Sequence, residues 1–100
     1  MKRLLQMLTL SLPLVASAQV AKLEGAKVHQ YKQLGEAKLF LHVFNPKGHK
    51  VSDKRPAIVF FFGGGWNSGT PKQFDPHCRY LASRGMVAIT AEYRVKSRNK

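Results

Sequence analysis

Phe60-Phe61-Phe62-Gly63-Gly64-Gly65-Trp66 is the stretch on which the reading of this chain turns. The apolar run from Ala57 to Phe62 has the composition of a strand buried on both faces, as in a parallel sheet. The glycines after it let the backbone turn sharply and leave the amides with no Cβ in front of them. Bare N–H groups at the carboxyl end of a buried strand can stabilise a developing negative charge. The loop therefore offers an oxyanion-type cradle, while the sequence shows no evident nucleophile beside it.

Downstream, Thr70-Pro71-Lys72-Gln73 reads as a capping box, with Thr70 as cap, Pro71 at the first helical position and Gln73 reaching back. Asp75-Pro76 repeats the cap-then-proline signal, so a short turn is expected first and then a main helix from Pro76 to Arg84. On that helix Cys78, Leu81 and Ala82 share one apolar face, with Phe74 a turn earlier. Gly85 stands where a left-handed cap belongs. Met86 to Ala91 is apolar almost throughout and reads as a further strand. Strand, loop, helix and strand in this order predict a right-handed crossover with a parallel pair.

Upstream, Lys27–Leu34 and Ala37–Phe44 read as two strands joined at Gly35-Glu36, an antiparallel hairpin. In the second, Leu39, Leu41 and Val43 alternate with Phe40, His42 and Phe44. Asn45-Pro46-Lys47-Gly48 ends it with turn chemistry, and a polar, basic loop runs on to Arg55. The fold class is α/β: a hairpin feeding a strand-helix-strand crossover. One crossover helix leaves one sheet face without cover, so residues 19–100 are expected to be the amino-terminal portion of a longer domain.

The first eighteen residues read differently. Met1-Lys2-Arg3 is positive, Leu4 to Val15 is mostly apolar, and Ala16-Ser17-Ala18 has the small-x-small pattern of a cleavage site. The apolar part falls short of the ~20 residues of a comfortable membrane span. A signal peptide over residues 1–18, cut before Gln19, is the expectation, giving a secreted or periplasmic protein with no stable span. Losing Lys2 and Arg3 takes the net charge from +12 to +10. The remaining charges are scattered, with no aromatic-interleaved basic stripe, so a solvated basic surface and no nucleic-acid partner are expected. Cys78 is the one cysteine, and no disulfide forms within the chain.

Nucleotide readings of the glycine loop fail on residues. Counting from Gly63, the sixth position of a dinucleotide fingerprint is Ser68, and the helix begins too late. A Walker loop needs Gly-Lys-Ser/Thr, whereas Gly69 is followed by Thr70-Pro71. His29, His42, His49 and His77 show no paired ligand spacing and read as surface or strand histidines, so neither a metal nor a cofactor is expected.

The segment from about Lys54 to Arg94 resembles the secreted esterase and lipase branch of the α/β-hydrolase family. That family carries a glycine-triplet loop after its third strand and an Asp-Tyr-Arg-like end to its fourth. Here the corresponding residues are Phe62-Gly63-Gly64-Gly65-Trp66 and Glu92-Tyr93-Arg94. The resemblance implies that Gly64 and Gly65 donate the oxyanion-hole amides, that Gly63 provides the turn, and that Trp66 lines or braces the pocket. Trp66 reads equally as a core or loop-packing aromatic. Phe62 stands where the family commonly has histidine, and can brace the loop by packing alone.

The family's Gly-x-Ser-x-Gly elbow is absent, and its order of serine, acid and histidine places the whole triad beyond Lys100. Glu92 is expected to be a strand-end carboxylate near Arg94. The implied substrate is a small-molecule or polysaccharide-borne carboxylic ester, such as an acetyl or feruloyl group on plant polysaccharide. The alternatives are a peptidase or lactone hydrolase on the same fold, or an exported module that binds without catalysis.

Overall fold

The structure is a computed structural model that describes residues 20–99; the expected signal peptide lies outside them. Two strands, β1 (Lys27–Leu34) and β2 (Ala37–Phe44), form the expected antiparallel hairpin. The connection passes through Gly35 at φ 61°, in the left-handed region where glycine is tolerated best. Strands β3 (Ala57–Phe61) and β4 (Val87–Ala91) pair in parallel, as the crossover pattern required. The sheet order is β1-β2-β4-β3, with β2 antiparallel to β4. Between β3 and β4 lie a short 3-10 turn (Pro71–Phe74) and the helix α1 (Asp75–Ser83). This is a partial α/β domain: a four-stranded mixed sheet with one helix.

The helix packs through the face read from its spacing. Cys78 is fully buried against Phe44 and Ala88 of the sheet, with Leu23 and Ala26 closing the core from the chain upstream. Ile58, Phe60, Phe74, Leu81 and Ala82 pack around that cluster. The register explains the grouping, because Phe44 and Ile58 both lie opposite Ala88 and point to the helix side. Phe60 stacks on Phe74 with centroids 4.6 Å apart, joining β3 to the 3-10 turn. Thr90 adds a buried hydrogen bond, its Oγ1 donating to the Pro71 carbonyl at 2.9 Å. Gly85, at φ 97°, closes the helix as expected, with its amide and that of Met86 donating to Ala82 and Leu81.

β3 is not buried on both faces. Ile58 and Phe60 are half-buried beneath the helix, whereas Val59 is 45% and Phe61 63% exposed on the opposite face. A single α-helix covers only one side of a sheet, so an all-apolar run finds partners on alternate residues only. The capping signals also resolve differently. Thr70 accepts from the Lys72 amide, as an N-cap should, but Gln73 does not turn back to it. Asp75 is the first residue of α1 rather than its cap, and both its oxygens accept from Nε of Arg79, at 3.1 and 3.2 Å, one turn on.

Burial, reinforced by the Asp75 carboxylate, pushes the Cys78 thiol up to about 11. Its reactive thiolate is therefore scarce at pH 8, and the side chain is shielded as well. Native protein is expected to react with iodoacetamide on the order of 100-fold more slowly than urea-unfolded protein. Equal rates in the two states would mean that α1 does not seat on the sheet as described.

Candidate functional site

β3 delivers the chain to a tight loop at its carboxyl end, the end at which open α/β sheets bind ligands. Gly64, Gly65 and Trp66 have φ of 147°, 63° and 64°, and Gly69 follows at 104°. A Cβ on Gly64 would lie 2.0 Å from the Ser68 carbonyl oxygen, and one on Gly69 would lie 2.3 Å from that of Gly63. Those two glycines are demanded by close backbone approach. The amides of Asn67 and Ser68 both donate to the Gly64 carbonyl, at 3.1 and 3.2 Å, and close the turn.

Gly63 plays a different part from the one expected. Its φ lies outside the left-handed region, and a Cβ there would meet only Gln73 Oε1, at 4.0 Å. It does not supply the turn. Its N–H donates to that same Gln73 oxygen at 2.9 Å, which is where the capping-box glutamine has gone. The Gly64 and Gly65 amides donate to no acceptor among the described residues.

Phe62 braces the loop by packing. It is 2% exposed and stacks on Tyr93 with centroids 4.2 Å apart and planes 12° from parallel. The Tyr93 hydroxyl donates to the Phe62 carbonyl, so one residue holds the other by ring and by backbone. Trp66 sets its edge against the same tyrosine at 5.1 Å, yet stays 74% exposed. It is not a core residue. It lines an open groove of about 450 Å³ with Tyr31, Leu39, Tyr93, Arg94 and Lys96. Beyond Tyr93 the chain runs beside the loop, the Lys96 and Ser97 amides donating to the Trp66 and Asn67 carbonyls, each at 2.9 Å.

Glu92 does not face Arg94. It is buried, with Oε2 3.5 Å from Nε2 of His42, which is itself 1% exposed. Reading the histidines as strand or surface residues missed this pair, although alternation on β2 had put His42 on the side of Phe40 and Phe44. The Glu92 amide donates to the Phe40 carbonyl at 2.9 Å, extending the β2–β4 contact past the last paired residue. Tyr31 sits at a β-bulge in β1, where the register shifts between Gln30 and Lys32. Bulges re-aim side chains, and the Tyr31 hydroxyl reaches the Glu92 carbonyl. Burial first, and the Glu92 charge second, push that hydroxyl's pKa up.

The other histidines are dispersed. His77 lies against the Phe60 and Phe74 rings, and His49 stands 3.6 Å from Asp53 in the loop before β3. Among the described residues no serine hydroxyl bonds to a histidine, and no group of three or more His, Cys, Asp or Glu side chains could hold a metal ion. No helix among them is long and apolar enough to cross a membrane.

The model of the carboxylesterase family matches residues 15–97. The chain belongs to the carboxylesterase family. Among solved structures it is similar to esterase 2 of Thermogutta terrifontis phosphoramylated by tabun, at 53% identity and a TM-score of 0.74 over 77% of this chain. The native form of that thermophilic planctomycete esterase matches at 54% identity and 0.73 over 76%. The same esterase has been solved with butyrate bound and phosphorylated by paraoxon. The architecture is accordingly that of an α/β-hydrolase esterase, of which this chain spans 29% and 27% of the two structures' lengths. Neuroligin-like protein glit-1 of Caenorhabditis elegans is 41% identical over 58 residues, which are 57% of this chain and 8% of that protein.

The His42–Glu92 pair yields a prediction, because taking away one partner leaves the other buried without its complement. His42→Leu is expected to lower stability by about 3 kcal/mol. His42→Leu combined with Glu92→Leu is expected to cost clearly less than the sum of the two single changes. Urea unfolding of the four proteins measures the coupling, and strictly additive losses would show that the two groups do not interact.

Proposed function

We propose that this chain supplies the oxyanion-holding part of a serine carboxylic ester hydrolase. The observation that carries the reading is the pair of successive amides, Gly64 and Gly65. They stand at the carboxyl end of β3, free of protein acceptors among the described residues, on a backbone fixed in left-handed conformations. In ester hydrolysis the nucleophile's oxygen bonds to the carbonyl carbon and the C=O electron pair moves onto oxygen. The oxyanion needs donors until it collapses and expels the alcohol. Two backbone amides without a protein acceptor can meet that need without side-chain chemistry.

The serine, the acid and the histidine come, in this reading, from chain beyond these residues, in the order seen on this fold. Short acyl esters are the favoured substrates, since the similar Thermogutta esterase holds butyrate and reacts with paraoxon. Export through residues 1–18 and the net charge of +10 that remains after it suit an acylated polysaccharide as the carrier of such an ester. A second reading is an exported module that binds through this loop without catalysis.

The test is turnover of p-nitrophenyl butyrate by the complete protein in which these residues occur. Hydrolysis, with stoichiometric inactivation by paraoxon, is expected; neither would occur in a module that only binds. Residues 20–99 alone are expected to show no turnover above a denatured control. Gly64→Ala is expected to lower kcat at least ~100-fold, the scale of losing an oxyanion donor. Gly65→Ala meets open space and only a left-handed backbone cost of about 1–2 kcal/mol, so it is expected to be milder.

A further inference from the structure

Arg98 lies outside the glycine loop and outside the segment whose motifs resemble the family, yet it touches both ends of the loop. Its Nη1 donates to the Gly69 carbonyl at 2.6 Å, where the loop leaves. Its guanidinium carbon stands 5.8 Å from the centroid of the Phe62 ring, where the loop enters. These two ends already touch, since a Cβ on Gly69 would come within 2.7 Å of Phe62 Cδ1. Arg98 therefore closes a three-way contact at the neck of the loop.

The position of Arg98 is set by its own segment. Val95 is buried at 1% exposure, and the amides of Arg98 and Asn99 donate back to its carbonyl at 3.1 and 2.8 Å. Within that turn the Lys96 and Ser97 amides hold the Trp66 and Asn67 carbonyls at the loop's tip. The other terminal nitrogen of Arg98, Nη2, is buried and makes no hydrogen bond among the described residues. Its grip thus consists of one hydrogen bond and one ring contact.

We propose that Arg98 is a positioning residue for the Gly64 and Gly65 amides, fixing the neck of the loop and so the direction in which those N–H groups point. The catalytic sense of this rests on the ester-hydrolase reading above. Arginine suits the position because a planar guanidinium can donate in its plane to a carbonyl while lying against an aromatic ring. A lysine ammonium offers no planar fork for that double contact.

The experiment compares Arg98→Lys and Arg98→Met with the unmutated complete protein by amide hydrogen exchange and steady-state kinetics. Exchange at Lys96 and Ser97 is expected to accelerate about tenfold in both variants while the β2 and β4 amides keep their protection. On p-nitrophenyl butyrate, kcat is expected to fall about tenfold with KM within twofold, and Arg98→Lys is not expected to restore it. Unchanged exchange at the loop overturns the proposal. So does a uniform loss of protection through β4, which would mark a merely stabilising residue, or full rescue of kcat by lysine. If the unmutated protein shows no turnover, the ester-hydrolase reading is what fails. The exchange data then still decide whether Arg98 holds the loop.

Discussion

The contact between Phe62 and Tyr93 is the constraint on which the rest of this structure depends. Phe62 is the first residue past β3, Tyr93 the second past β4, and the two strands run parallel. Parallel pairing is what brings both exits to the same end of the sheet. The ring stack and the tyrosine's hydrogen bond to the Phe62 carbonyl then lock the exits together. The crossover that makes the parallel pairing feasible covers the other direction, its 3-10 turn anchoring Phe60 through Phe74 and β4 through Pro71. Loop, helix and strand ends are thereby one connected unit.

Behind that unit lies a buried polar pair. His42 and Glu92 occupy positions that apolar residues could fill, with His42 on the face that also carries Phe44 and Ala88. Such pairs seldom add stability over a well-packed apolar substitute, and their best-attested use is fixing register. Here the register is that of β2 against β4, which sets where Glu92 ends and Tyr93 begins. Tyr31, re-aimed by its bulge, fastens the same residue from β1. Three strands thus converge on the two residues that precede Arg94.

What was legible in the sequence was what repeats locally. Alternation gave the hairpin strands, the spacing of Cys78, Leu81 and Ala82 gave the buried helix face, and Gly85 marked the helix end. The glycine triplet marked the loop, but not which glycine did what. Whether Gly63 or Gly64 needs to lack a Cβ depends on where the Ser68 carbonyl sits, and that follows from how the chain returns, not from the triplet. Gln73 followed the capping rule in spacing and still bonded to Gly63, because an unpaired loop amide lay within its reach. Glu92 was assigned to its near neighbour Arg94, whereas sheet pairing placed it against a residue fifty positions away. Contacts of that kind are set by register, which local sequence does not carry.

The left-handed backbone at Trp66 has one more consequence. An indole held on a glycine loop, three-quarters exposed and edge-on to a tyrosine that is itself locked to β3, is an optical label placed by the fold. It is also the chain's one tryptophan. The emission of residues 20–99 therefore reports on the loop's surroundings without a tryptophan background from the core, so events at the glycine loop can be followed by light before any product is measured.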